Sequence, residues 1–342
     1  MRKTNSAHSV ETKRPPLRVA YLLGAGATHA ELANVCAGRM SDATFLEKNS
    51  LLFAHVSKRV CRDAINKQAL SKTIRGLISK AGLSNLELFI GLLERNQVQT
   101  HEEVVRGLKK RLERDIVNRL KPYNGKYYLY KALLEFHKIA RAEQLDGVIT
   151  LNYDRLLDEA FEEMFVGEPD YGLSRQSAAS KTRPLLKLHG GFGLMYRNEA
   201  LPIITPGVNK NYLELPYNFI WGRALEILLE CDVLRVIGCS LSQNDLGIID
   251  LLFKAHLKRK KEPLVLQIID FDPPDNRIKE QLGFFPRIER ASEIEGALIA
   301  DGTIADYTKG SNPFKIWLKA KIAKLMTKRD INKTTYVKMV LE

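Results

Sequence analysis

The run from Leu17 to Leu23 is apolar at nearly every position and stops at Gly24-Ala25-Gly26, after which Ala27-Thr28-His29-Ala30-Glu31 continues as a helix would. A strand without polar alternation is buried on both faces, which is the condition of a parallel sheet covered by helices. Two glycines at a strand-to-helix join serve either a tight turn or the close approach of a phosphate to backbone amides. The full dinucleotide fingerprint carries a third glycine, and this chain has His29-Ala30-Glu31 there instead, so the loop by itself reads equally well as a turn.

The rest of the chain repeats the strand-then-helix theme. Strand-like runs occur at 147–152, 185–189, 201–205, 233–238 and 264–270, with helical periodicity at 218–231 and 245–260. Strands separated by helices predict an α/β protein with a Rossmann-like, doubly wound parallel sheet. Between the first two strands, about 41–145, the pattern is helical at 84–94, 102–120 and 127–141, with a Ser84/Glu87 capping pattern and a break at Pro122 and Gly125. This is an inserted helical module. Residues 1–16 read as a flexible polar tail closed by Pro15-Pro16, 17–310 as the sheet domain, and 311–342 as a lysine-rich amphipathic helix offered as an assembly element.

In an open parallel sheet the ligand crevice lies at the carboxyl ends of the strands. Those positions hold Gly24-Ala25-Gly26-Ala27-Thr28, Asn152-Tyr153-Asp154, His189-Gly190-Gly191, Gly238-Cys239-Ser240-Leu241 and Asp270-Phe271-Asp272. Singly each has an ordinary explanation: Asn152 and Asp154 as helix caps, His189 as a structural histidine, Asp270 as a strand-end turn. Together they bring glycines, an amide, a carboxylate, an imidazole and a hydroxyl to one sheet edge, the groups that a nucleotide with riboses and a diphosphate requires.

A formal net charge of +13 favours anionic ligands and partners without specifying a function. The basic runs 109–114, 254–261 and 315–329 read either as solvated helix faces or as surfaces for nucleic acid. Four cysteines with no C-x-x-C pair argue against a structural zinc site and for a reduced, cytoplasmic setting. The first sixteen residues lack a signal-peptide core and no apolar run nears membrane-spanning length, so neither secretion nor insertion is expected.

In this order the segments resemble the NAD-binding core of the sirtuin family. Gly24-Ala25-Gly26-Ala27-Thr28 resembles its glycine loop, Asn152-x-Asp154 its Asn-x-Asp pair, His189-Gly190 its catalytic His-Gly, and Gly238-Cys239-Ser240-Leu241 its Gly-Thr-Ser-Leu turn. The longer stretches 149–161 and 187–191 resemble in particular the bacterial sirtuin-like domains of antiphage defence systems, which hydrolyse NAD+. The zinc ribbon of the protein deacylases has no counterpart, nor does their Gly-Ile-Pro-Asp-Phe-Arg segment, and Leu151 stands where they carry glutamine. The resemblance therefore implies NAD+ as substrate, no metal, and a NAD+ glycohydrolase that depletes NAD+ once activated. Protein deacylation, and a non-catalytic subunit holding NAD+ or ADP-ribose and DNA, are the alternatives.

On the family's pattern Asn152 fixes the nicotinamide ribose and the attacking water, Asp154 accepts a hydrogen bond from the carboxamide, and His189 is the base. The amides of Gly24 to Thr28 and the hydroxyls of Thr28 and Ser240 hold the diphosphate beside Gly238, and Asp270 takes the adenosine ribose. Such a hydrolase must be restrained, which implies a homo-oligomer or a separate defence partner such as a DNA-translocating ATPase or an Argonaute-like protein, and no membrane.

Overall fold

A computed structural model describes residues 15–36, 50–66, 99–123, 125–165, 168–174, 183–201, 203–204, 212–239, 241, 246–269, 282–290 and 312–326, with isolated positions between 76 and 93. The sheet strands are β1 (Leu17–Leu23), β2 (Glu143–Thr150), β3 (Leu185–Lys187), β6 (Val233–Ile237), β7 (Val265–Ile269) and β8 (Ile288–Arg290); a separate hairpin pairs β4 (Met195–Tyr196) with β5 (Glu199–Ala200). All six pair in parallel in the order β3-β2-β1-β6-β7-β8. Numbered within the sheet alone this is 3-2-1-4-5-6, the order of dinucleotide-binding folds, with the topological switch point between β1 and β6.

The unbroken apolar character of β1 follows from its two covered faces. Val19, Tyr21 and Leu23 point into one layer, while Ala20 and Leu22 point into the other. The first layer is built from α1 (Ala25–Cys36), α2 (Phe53–Asn66), α3 (Gln99–Leu120), α4 (Tyr128–Ile139) and α5 (Leu156–Met164). The second is built from α6 (Tyr217–Glu230) and α7 (Leu246–Lys258). The helical module expected between the first two strands is thus present as α2, α3 and α4, whose buried apolar residues join the core cluster on that side of the sheet.

One expected strand needs correction. The run 201–205 is no sheet strand at the described positions: Leu201 donates its amide to Leu194 O, extending the β4–β5 hairpin, and Ile204 donates to His189 O. Its apolar residues are used to pack a loop over the sheet end. The sheet instead gains β8, a three-residue strand too short and too polar to show a period.

The final helix, α8 (Pro313–Met326), belongs to the first layer. Phe314, Trp317, Leu318 and Ile322 are buried at 0–2% exposure, so the apolar face offered for assembly is spent inside the protein. Its anchor is a buried cation. Arg235, at the centre of β6, lies 5.2 Å from the Trp317 ring, donates to Glu143 at 2.6 and 2.8 Å, and donates to Gln267 and to the Tyr21 hydroxyl. The Tyr21 hydroxyl in turn lies 2.7 Å from His137 Nε2, and Lys321 of α8 reaches Glu143 at 3.4 Å. Burial alone pushes the Glu143 carboxyl up, but the hydrogen bonds and charge of Arg235, helped by Lys321, hold it down at about 2. Burial, then the Arg235 charge, lowers His137 to about 3, which keeps its imidazole neutral.

Trp317→Ala removes a fully buried ring from this anchor and is expected to cost about 3–5 kcal/mol of stability in denaturant unfolding. A midpoint equal to that of the unaltered protein would show that α8 is not part of the core.

Candidate active site

At the switch point the backbones of two strand ends touch. Gly24 donates its amide to Ile237 O at 3.0 Å, Gly26 donates to Gly238 O at 2.8 Å, and Ala27 donates back to Gly24 O at 2.9 Å. A Cβ on Gly26 would sit 2.7 Å from Gly238 Cα, and one on Gly24 2.5 Å from Gly238 O. Gly238 has φ +58, and a Cβ there would lie 2.2 Å from Ala27 N. Glycine is therefore required at all three positions by the approach of chain to chain. This changes the reading of the loop: the amides of Gly24, Gly26 and Ala27, expected to face a diphosphate, already donate within the protein. Ala25, first residue of α1, keeps an amide that by position has no partner inside the helix.

Thr28, one turn into α1, is 1% exposed. Its Oγ1 lies 2.9 Å from Tyr130 Oη, 3.0 Å from Asp154 Oδ2 and 2.9 Å from Asn152 Nδ2. The second Asn152 amide proton goes to Gly24 O at 2.9 Å. Both N–H groups of Asn152 are thus committed within the protein, which leaves Oδ1, an acceptor, as the remaining polar atom of its side chain. Asp154 is 6% exposed, with Oδ1 accepting the Leu156 amide at the start of α5 and Oδ2 accepting Thr28. Burial raises its carboxyl above the usual range, against the pull of Lys187. Thr28, Asn152 and Asp154 are brought together as one network, and the Thr28 hydroxyl, expected to meet a phosphate, is fully engaged inside it.

His189 follows β3, beside the β2 end that carries Asn152. It is 1% exposed, with ring centroids of Tyr153 at 6.4 Å and Trp221 at 6.5 Å. Trp221 is fixed by donating to Leu188 O, and Tyr153 by donating to Ile204 O. Ser240 and Asp270 lie outside the described residues.

One member of the site was not singled out in the sequence. Lys187, the last residue of β3, is 1% exposed and bonds Asp158 Oδ2 at 2.8 Å and the Asp154 carbonyl. Tyr171 donates to the other oxygen of Asp158, itself wholly buried. Gly191 is glycine because the Lys187 side chain passes beneath it, 2.3 Å from where a Cβ would stand. The ion pair thus ties β3, α5 and the His189-Gly190-Gly191 turn together. A lysine inside the apolar run Leu185–Leu188 was the visible signal.

No group of three or more His, Cys, Asp or Glu among the described residues is placed to hold a metal ion. No helix among them is long and apolar enough to cross a membrane.

The order of strands and the joining of Thr28, Asn152 and Asp154 at the ends of β1 and β2, beside the switch point, define a Rossmann-type α/β protein with a prepared site at its strand ends. Residues 146–284 match the family described as SIR2-like domain, and over that stretch the chain is similar to it. The match takes in Asn152, Asp154, His189 and Gly238, while the glycine loop and Thr28 lie outside it and join through the contacts above. Similar solved structures are a mutant Sir2 homologue in complex with ADP-ribose, at 14% identity over 92% of this chain and 95% of that one with TM-score 0.36, and a Sir2 homologue in complex with NAD, at 13% over 90% of each with TM-score 0.36. A Sir2 enzyme described for its mechanism and regulation is 13% identical over 92% of this chain and 93% of that one, with TM-score 0.34. No curated protein matches the chain.

Lys187→Met leaves Asp158 charged and buried without its cation and is expected to cost about 3–5 kcal/mol. The double change Lys187→Met/Asp158→Leu should recover most of that in the same unfolding experiment. A single variant as stable as the parent would remove the ion pair from the account.

Proposed function

We propose that the chain binds NAD+ at the carboxyl ends of β1, β2, β3 and β6 and hydrolyses the nicotinamide–ribose bond to nicotinamide and ADP-ribose. The observation that carries this reading is the fixed polarity of Asn152. With both amide protons committed to Gly24 O and Thr28 Oγ1, its Oδ1 is an oriented acceptor at the switch-point crevice, suited to a ribose hydroxyl or a water. The similarity of 146–284 to the SIR2-like domain family supports the choice of NAD+ among dinucleotides.

Cleavage of this bond builds positive charge on the ribose anomeric carbon, as in other glycoside hydrolyses. The pyridinium leaves readily, so the protein's work is to orient the ribose, present a water and remove its proton. Asn152 Oδ1 orients the hydroxyl or the water. His189, at the adjacent strand end, takes the proton. Asp154 holds Thr28, and through it Asn152, and places a carboxylate behind the site. In this reading the reaction depletes NAD+ as an antiphage effector, restrained by self-assembly or by a separate partner. Since the apolar side of α8 is buried, such contacts fall to the outer faces of the helices and to the basic runs, where nucleic acid is a further candidate ligand.

Purified protein incubated with NAD+, with and without DNA, is expected to release nicotinamide and ADP-ribose with no acylated peptide present. Asn152→Ala and His189→Ala should each lower turnover by about 100-fold or more while remaining folded by circular dichroism. Turnover equal to the parent in both variants would defeat the assignment, and release that depends on an acylated peptide would replace it with deacylation.

A further inference from the structure

The network around Thr28 receives one member from outside the sheet and its strand ends. Glu31 of α1, wholly buried, accepts the amides of Leu129 at 3.1 Å and Tyr130 at 2.9 Å, at the first turn of α4. A carboxyl group there meets the unpaired amides of a helix start; burial pushes it up to about 8, against the pull of those amides. This contact locks α4 to α1 and sets the depth of Tyr130, whose ring also packs 6.1 Å from Phe314 of α8. Tyr130 is 0% exposed, and its hydroxyl ends 2.9 Å from Thr28 Oγ1.

The proton count around Thr28 has one solution. Its hydroxyl has one proton to give and two lone pairs to fill. Asn152 Nδ2 can only donate, and an ionised Asp154 can only accept, so the Thr28 proton goes to Asp154 and Tyr130 must donate its own. Every polar group of the cluster is then satisfied, and Thr28 is unable to rotate without breaking three bonds. A threonine so held keeps the Asn152 amide from tilting, which is what fixes the direction of Oδ1.

We propose that Tyr130 is a positioning residue for the cleavage reaction: by donating to Thr28 Oγ1 it makes the helical module between β1 and β2 set the orientation of Asn152. This rests on the NAD+-cleaving reading of the site. Tyr130 is assigned no contact with substrate: its geometric hydrogen bond is to Thr28, and its hydroxyl also interacts with the Asn152 side chain. Its loss is therefore expected in turnover, where Asn152 orients the reacting groups, and not in the affinity that the diphosphate and adenosine ends supply.

The test is a double-mutant cycle of Tyr130→Phe with Thr28→Val, read as nicotinamide release, with ADP-ribose affinity measured by calorimetry and folding by thermal melting. Tyr130→Phe should lower kcat by about 5- to 10-fold, the scale of one net hydrogen bond, with KM and ADP-ribose affinity within about twofold. Tyr130→Phe added to Thr28→Val should cost clearly less than Tyr130→Phe alone, because its hydrogen-bond acceptor is already gone. A purely packing role predicts a lower melting temperature with kcat unchanged, or losses that add. Either result, or a loss confined to KM, overturns the proposal. If Tyr130→Phe fails to fold, the same cycle is run with Glu31→Gln, one contact upstream, under the same criteria. A parent protein that neither releases nicotinamide nor binds ADP-ribose overturns the NAD+ reading itself, an outcome distinct from the failure of Tyr130 alone.

Discussion

The carbonyl of Gly238 accepts the amide of Gly26 at 2.8 Å, and the two backbones approach until no Cβ fits between them. This contact joins the turn after β1 to the turn after β6 at the point where the strand order reverses. From it α1 takes its direction, and α1 carries Thr28 and Glu31. Thr28 collects Asn152 and Asp154 from the end of β2, and Glu31 collects the start of α4. A shift of the glycine turn by the width of a methyl group would displace all of these groups together. In a close-packed interior such shifts are resisted by every neighbour at once, which is the sense in which the site is prepared before any ligand arrives.

Two buried ion pairs hold the ends of this arrangement. Lys187 and Asp158 secure β3 to α5 beneath the turn that carries His189. Arg235 and Glu143 secure β6 to β2 and moor α8 through Trp317 and Lys321. Buried pairs are poor sources of net stability but costly to break by halves, so each acts mainly by excluding other arrangements of the elements it joins. Both cations stand in strands that are otherwise apolar, and in both cases their partners come from elements distant in the chain.

What the sequence made legible follows from locality. The apolar run of β1, the helical periods of α3 to α7 and the placement of Asn152, Asp154, His189 and Gly238 at strand ends are written in short segments, and the fold class followed from their alternation. The meaning of Gly24 and Gly26 was not local: the group that excludes a side chain there is Gly238, more than two hundred residues away. Tyr130 and Glu31 gave no signal, since one tyrosine among three in 127–130 and one glutamate on a helix look ordinary until their partners are known. Lys187 and Arg235 did give one, as lone charges in apolar strands, but not the identity of their partners. The run 201–205 failed as a strand because its apolar side chains serve a loop, a use that has no period of its own.

The central claim is that a dinucleotide occupies the crevice above the Gly26–Gly238 contact and meets Asn152 through Oδ1. A crystal structure of the protein with ADP-ribose tests it most directly. The account predicts the diphosphate at the carboxyl ends of β1 and β6, with a ribose hydroxyl within hydrogen-bonding distance of Asn152 Oδ1 and the amide still donating to Gly24 O and Thr28. ADP-ribose bound elsewhere, or an Asn152 amide turned so that its nitrogen faces the ligand, would contradict it.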